Sequence, residues 1–180
     1  MKKIEWYILG ILESFGTLRP ETNEFTFQTY DKSKLKKMEL IRKTYAPDKE
    51  IKQKTRKVRG VEKEFYFLYF TSKELAGIKR QFTGVYAENV DFMRAYVELH
   101  MRVKKDCVRF ATPKMAEPLS ILLGDLNGKM TFPVKQVKEL IQIFDTNTEL
   151  KDVEFWESLH DYIGDKEVAK ELQDRNKPNV

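Results

Sequence analysis

Two apolar helical stretches of one outline most constrain what this chain can fold into. They are YILGILESFGTL, Tyr7 to Leu18, and DFMRAYVELHMRV, Asp91 to Val103. The first is apolar from Tyr7 to Leu12 and then turns abruptly to Glu13-Ser14-Phe15-Gly16. Gly10 and Ser14 are small and four apart, so they share a helix face and allow a second helix close approach. Ala95 takes the place of Gly10 in the second stretch. Two such helices predict a duplicated unit clasped along its leading helices, with Gly10, Ser14 and Ala95 packing in the seam.

The elements that follow repeat in order. After the first helix, Glu5 to Phe15, Gly16 is a natural stop. Two extended runs joined at Pro20-Glu21-Thr22-Asn23 then read as a hairpin, with Phe25 and Phe27 on one face and Thr26, Gln28 and Tyr30 on the other. Asp31 is placed to cap a helix with the stripe Leu35, Met38, Ile41 and Tyr45, closed by Pro47. Gly60 bends a basic strand into an aromatic one, Glu64 to Phe70, expected at the centre of a sheet. Thr71 or Ser72 caps a helix carrying Leu75, Ile78 and Phe82. The second round reads as a helix from Asn89 to His100, then strands near Arg102–Lys105 and Val108–Thr112. A helix from about Lys114 to Leu123, a strand at Lys129–Phe132 and a helix from Val134 to Phe144 complete it.

Gly10 corresponds to Ala95, Phe27-Gln28-Thr29 to Phe110-Ala111-Thr112, and SKELAGI at Ser72 to VKELIQI at Val137. The separation shrinks from 85 to 65 residues because the second copy lacks most of the basic hairpin. The expectation is an α+β fold of tandem pseudo-symmetric αββαββα repeats. Residues 1–84 form the first repeat, 85–146 a shortened second one, and 147–180 an acidic helical tail. In that tail two helices are expected, with Trp156 and Tyr162 as packing residues, His160 incidental and the last residues frayed.

Charge is unevenly spread. Asp31 to Lys63 holds thirteen Lys/Arg against five Asp/Glu, while Asp145 to Val180 holds five against ten, in a chain of net charge +5. A basic block beside an acidic tail points to a polyanion, and a solvated lysine-rich surface is the plain alternative. Cys107 is the only cysteine, so no internal disulfide forms and a reducing compartment is the simpler home. The opening MKKIEWYILGIL has the outline of a secretory signal, but Glu5 and Glu13 interrupt its apolar run and no small-residue cleavage site follows. No run approaches the roughly 20 apolar residues of a membrane span. The protein is therefore expected inside the cell, cytoplasmic or nucleoid-associated. The GxxxxGK[ST], GxGxxG, CxxC, HExxH and GxSxG patterns do not occur.

ILGILESFGTL resembles the LAGLIDADG motif, and FMRAYVELHMRV resembles its second copy. The element order over roughly residues 4–145 is similar to the single-chain, two-repeat LAGLIDADG homing endonucleases. The resemblance implies two halves whose curved antiparallel sheets form a saddle astride duplex DNA, with the motif helices at the interface. It also implies one acid per repeat holding divalent metal at the scissile phosphates. On this chain the first motif acid falls at Glu13 and Glu98, but the metal-binding acid falls at Phe15 and His100. The following glycine is kept as Gly16 and becomes Met101 in the second copy.

Hard divalent cations take oxygen ligands. Phe15 offers no donor, and the His100 nitrogen suits softer metals. Two-metal phosphodiester cleavage needs charge stabilisation on both the attacking and leaving oxygens, and that route is lost here. Glu13 and Glu98 are the fallback carboxylates, but they lie two residues earlier, about 200° around the helix. Their structural alternative is capping or hydrogen bonding near the helix junction. No catalytic residue, metal or cofactor is assigned, and Mg²⁺ enters only if the chain cuts.

A sheet without metal acids can still bind nucleic acid. Lys52, Lys54 and Arg56 share a strand face, Lys57 and Arg59 lie near that strand's end, and Arg19 and Gln28 are expected on the same surface. In the second half Arg102, Lys104, Lys105 and Arg109 correspond. Lys and Arg would position phosphates, while Gln or Arg could read base edges. Three readings stand: a non-cleaving binder of double-stranded DNA or structured RNA, an endonuclease using Glu13 and Glu98, and a protein-interaction scaffold. Two repeats in one chain favour a monomer, and a homodimer through the tail stays open.

Overall fold

The computed structural model describes residues 2–81, 89–110, 119, 123, 131–146 and 148–175, the last four as backbone only. The chain divides into two compact units, Met1–Val85 and Tyr86–Val180.

In the first unit the order is α1 (Lys3–Phe15), β1 (Gly16–Arg19), β2 (Glu24–Thr29), a 3-10 turn (Lys32–Lys34), α2 (Leu35–Tyr45), β3 (Lys52–Val58), β4 (Val61–Thr71) and α3 (Lys73–Gln81). The strands form an antiparallel sheet in the order β1-β2-β4-β3. Period-two alternation decides its inner face. Phe25 lies opposite Phe70 and Phe27 opposite Leu68, and all four are buried. Phe25 and Phe70 stack with ring centroids 5.5 Å apart. Asp31 caps the 3-10 turn by accepting from the Ser33 amide at 3.0 Å, and Ser72 accepts from the Leu75 amide at 3.2 Å. α1 is buried on every side from Tyr7 to Leu12, as befits a helix apolar all round.

Gly16 ends α1 for a reason other than left-handed freedom. Its φ is −92°, which any residue adopts, but a Cβ there would come within 2.5 Å of Leu12 Cδ1 and 2.6 Å of Phe27 Cε1. The glycine is there for space. At the far hairpin, Arg59 and Gly60 have φ of 51° and 81°. Two successive positive φ values make the two-residue turn whose twist suits a hairpin.

In the second unit α4 (Val90–His100) leads to β5 (Met101–Val103), β6 (Val108–Phe110), β7 (Thr131–Phe132), α5 (Val134–Phe144) and α6 (Val153–Arg175). The sheet order is β5-β6-β7, antiparallel. Asn89 caps α4 by accepting from the Phe92 amide at 3.0 Å. Phe110, Phe132, Val137, Leu140, Phe144, Trp156 and Leu159 are buried. Arg94, also buried, reaches the Phe144 carbonyl at 2.8 Å, Asp91 at 2.6 Å and Thr146 Oγ1 at 2.7 Å. Its charge is thus paired and hydrogen-bonded, the condition for burying a cation.

Several expectations are corrected. The tail is one helix, not two, because a single interior glycine costs about 1 kcal/mol. That is too little for Gly164 to break a helix anchored by Trp156 and Leu159. Residues 147–180 fall within the second compact unit, Tyr86–Val180. The strand expected at Arg102–Lys105 is shorter, because Lys104 to Cys107 forms a turn closed by the Lys104 amide on the Cys107 carbonyl at 2.9 Å. Ala111-Thr112, the helix expected over Lys114–Leu123, the start of the strand at Lys129 and Phe82 lie outside the fully described residues. Among the described residues no helix is long and apolar enough to cross a membrane.

Candidate nucleic-acid interface

Directly opposed residues in an antiparallel pair share a face, so the register of the first sheet sorts every side chain. Gln28 lies opposite Phe67, which lies opposite Lys52. Lys54 pairs with Phe65, Arg56 with Lys63, Thr26 with Tyr69, and Arg19 with Glu24. The face turned away from the buried phenylalanines therefore carries Arg19, Gln28, Lys52, Lys54 and Arg56 together. Lys57 is on the other face, opposite Glu62, and Arg59 sits in the turn.

β4 runs five residues past its pairing with β2, so Val61–Phe65 pairs with β3 alone as a two-stranded ribbon. Its two faces differ in charge. The inner one carries Glu62 and Glu64, and Glu64 is engaged by Lys32 at 2.7 Å, Tyr66 at 2.7 Å and Gln53 at 3.1 Å. Those bonds, the one from Lys32 foremost, hold the Glu64 carboxyl below its ordinary pKa. On the outer face of the ribbon there is no acid. Among the described residues Lys52, Lys54, Arg56 and Lys63 have no carboxylate partner. Lys54 Nζ instead lies 5.1 Å from the centre of the Phe67 ring. Glu24 is the acid at the far edge, bonded by Tyr69 and paired with Arg19 at 3.5 Å. The Tyr69 hydroxyl, then Thr22 and Arg19, keep its carboxyl below the usual range.

The same sorting in the second sheet places Arg102, Arg109 and Thr131 in one exposed row. Arg102 and Arg109, like charges, stand directly opposite each other in that row. Arg102 donates to the Leu99 carbonyl at 3.2 Å. Lys104 and Lys105 are exposed in the turn, next to Asp106.

The motif helices end differently in the two units. Phe15 packs edge-on against Phe27 at 5.6 Å, with Lys34 Nζ 5.1 Å from its ring centre. His100 is buried with its ring 4.5 Å from Tyr96. Glu13 is bonded by Lys79, whose ammonium pKa is lowered by burial. Glu98 is buried and accepts from Trp156 Nε1 at 2.7 Å and from the Asp152 amide at 2.9 Å, at the start of α6. Ser14 turns its hydroxyl back to the Gly10 carbonyl at 2.7 Å, and Gly10 and Ala95 are buried. Among the described residues no three His, Cys, Asp or Glu side chains gather as a metal site would require.

The outward placement of the aromatic side chains on this face has no local signal in the sequence. Phe65 to Phe70 is apolar or aromatic at every position, so period two cannot tell its faces apart. The available signal was the pairing of this strand with the lysine-rich one across Gly60. His160, expected to be incidental, bonds Asp145 at 2.7 Å beside Lys151, also at 2.7 Å.

Neither a protein-family model nor a curated relative matches this sequence. Among solved structures, the crystal structure of full-length DUF199/WhiA from Thermatoga maritima matches 91% of this chain at a TM-score of 0.51 and 11% identity. The fold is shared. The chain spans 60% of that protein's length.

Proposed function

We propose that this chain is a nucleic-acid-binding protein of the homing-endonuclease-like kind that binds without cutting. The likeness to DUF199/WhiA supports that reading of the fold, and so does the succession of elements in the two units. In both units a helix runs directly into the first strand, where Gly16 opposes Phe27 and Met101 opposes Phe110. This favours the LAGLIDADG-like repeat, acting as a monomer because one chain supplies both copies.

The observation that carries the proposal is the outer face of the first sheet. Its register gathers Arg19, Gln28, Lys52, Lys54 and Arg56 on one surface, and among the described residues the ribbon cations have no acid to answer them. Such a surface draws phosphates and positions a backbone, while Gln28 and Arg56 can meet base edges. Arg102 and Arg109 serve the same purpose on the second sheet.

Cleavage is not expected, because the side chains at the motif ends do not fit a hard cation. Phe15 has no donor atom and is committed to Phe27 and Lys34. Glu98 is consumed by Trp156 and the start of α6, and Glu13 by Lys79. The test is a binding series with duplex DNA and structured RNA over a range of salt, followed by a nicking assay with Mg²⁺ or Mn²⁺. Salt-sensitive binding without nicking is expected. Nicking that disappears in a Glu13→Gln variant would restore the endonuclease reading, and indifference to both polyanions at low salt would leave a scaffold.

A further inference from the structure

We infer that the outer face of the first sheet takes unpaired nucleotides, stacking bases on Phe65, Phe67 and Tyr69 while Lys52, Lys54 and Arg56 hold the strand's phosphates. This rests on nucleic-acid binding as proposed above and names the form of the ligand.

Ordinary folding does not call for aromatic residues on this face. A sheet covered on one side alternates apolar inward and polar outward. β4 obeys the rule inward, where Tyr66, Leu68 and Phe70 are buried, and breaks it outward at three successive positions. Tyr69 is 48% exposed and Tyr30, whose ring lies 5.1 Å from that of Phe65, is 44% exposed. Phe65 and Phe67 are partly exposed, with centroids 6.0 Å apart and planes 24° from parallel. Four aromatic rings thus line the surface of a charged sheet.

Their neighbours lie in parallel lanes. β3 supplies cations on one side of the aromatic lane, and β2 supplies Thr26 and Gln28 on the other. The row Lys52, Phe67, Gln28 combines all three lanes: a charge for phosphate, a ring for a base face, an amide for a base edge. In a duplex the base faces are hidden in the stack and only edges are exposed, so a central aromatic could touch a thymine methyl but could not stack on a base. Unstacked bases present a π-face to any aromatic ring, whatever their sequence.

There is also room. β3 stops at Lys52 while β4 continues to Thr71, and a cleft of about 310 Å³ opens there, lined by Lys49, Lys52, Phe67 and Tyr69. That is the low end of small-ligand sites, about 300–1,000 Å³. Glu50 also lines the cleft, and Glu24 holds the Tyr69 hydroxyl at the β2 edge. Both acids disfavour phosphate at that end, which leaves the cationic lane of β3 for the backbone.

The experiment compares the full chain's binding to a single-stranded oligonucleotide, as DNA and as RNA, with its binding to the matching duplex at one low salt concentration. A 2-aminopurine in the strand reports stacking. The strand is expected to bind at least about tenfold tighter than the duplex, with the fluorophore quenched. Phe67→Ala and Tyr69→Ala should each weaken strand binding by roughly 5- to 150-fold, the range for one lost base stack, and leave duplex binding within about twofold. Phe67→Trp, which keeps a ring, should retain strand binding and quenching. Duplex binding as tight as strand binding, or alanine variants that bind strands normally, would overturn this inference and leave nucleic-acid binding intact. Failure of the unaltered chain to bind any nucleic acid would overturn the reading beneath it.

Discussion

The two units open alike and then use the same positions for opposite ends. Near the end of each unit's opening helix, Glu13 is a part-exposed partner of Lys79, whereas Glu98 is buried and ties α6 to α4 through Trp156 and the Asp152 amide. At the helix-to-strand junction the first unit has Gly16, which leaves no space for a methyl group, and the second has Met101, a buried side chain filling its site. Beyond the junction the first unit extends a basic, aromatic ribbon into solvent. The second has the two-residue strand β7 and, later, a long helix. A shared outline sets how the chain enters its sheet. The elements after that entry decide whether a unit presents a surface or completes a core.

The largest break in this contrast is expected at Glu98. Glu98→Ala removes the acceptor of the buried Trp156 indole N–H and the part-buried Asp152 amide and should cost about 3–5 kcal/mol, where hydrogen bonds to a charged group contribute roughly 1.5–3 each. Glu13→Ala, at a part-exposed pair with a single partner, should cost less, about 1 kcal/mol, near the upper end for surface ion pairs. Chemical denaturation of the two variants measures the difference directly, and equal losses would contradict the assignment of roles. Next in size is the junction. Gly16→Ala should destabilise by about 1–3 kcal/mol through overpacking against Leu12 and Phe27, while Met101→Leu, nearly volume-conserving, should stay below about 1.5 kcal/mol.

The smallest effect concerns Asp145. Burial raises its pKa, but the hydrogen bonds from Lys151 and His160 outweigh this and leave it lowered. A carboxylate whose folded pKa is depressed contributes stability above its unfolded value, about 3.9, and loses it as the pH falls through the folded one. Asp145→Asn should therefore flatten the acid limb of the stability profile below about pH 4, with little change near neutrality beyond the lost pairing.

How much of the fold and the site is legible in the sequence depends on which signals are local. Phe25 and Phe27 alternate with polar residues, so their burial and the outward placement of Gln28 can be read directly. Asp31, Ser72 and Asn89 are cap residues before periodic stretches, and all three cap. The Glu64–Phe70 run is apolar or aromatic on both faces after its first residue. Only cross-strand register, a long-range property, shows that Phe65, Phe67 and Tyr69 face outward with the lysines. Buried Arg94 and Lys37 are invisible for the same reason, since their partners Phe144 and Tyr7 are 50 and 30 residues away.

The most direct measurement tracks equilibrium binding of an oligonucleotide by the intact chain against salt, for the natural sequence and for Lys52→Ala/Lys54→Ala/Arg56→Ala. Each phosphate contact contributes about 0.7 to 0.9 to the slope of log affinity on log salt. The natural chain should show a steep dependence, and the triple variant should bind more weakly with a slope shallower by roughly 2 to 3. Unchanged affinity and slope in the variant, or no binding by the natural chain at low salt, would contradict the account.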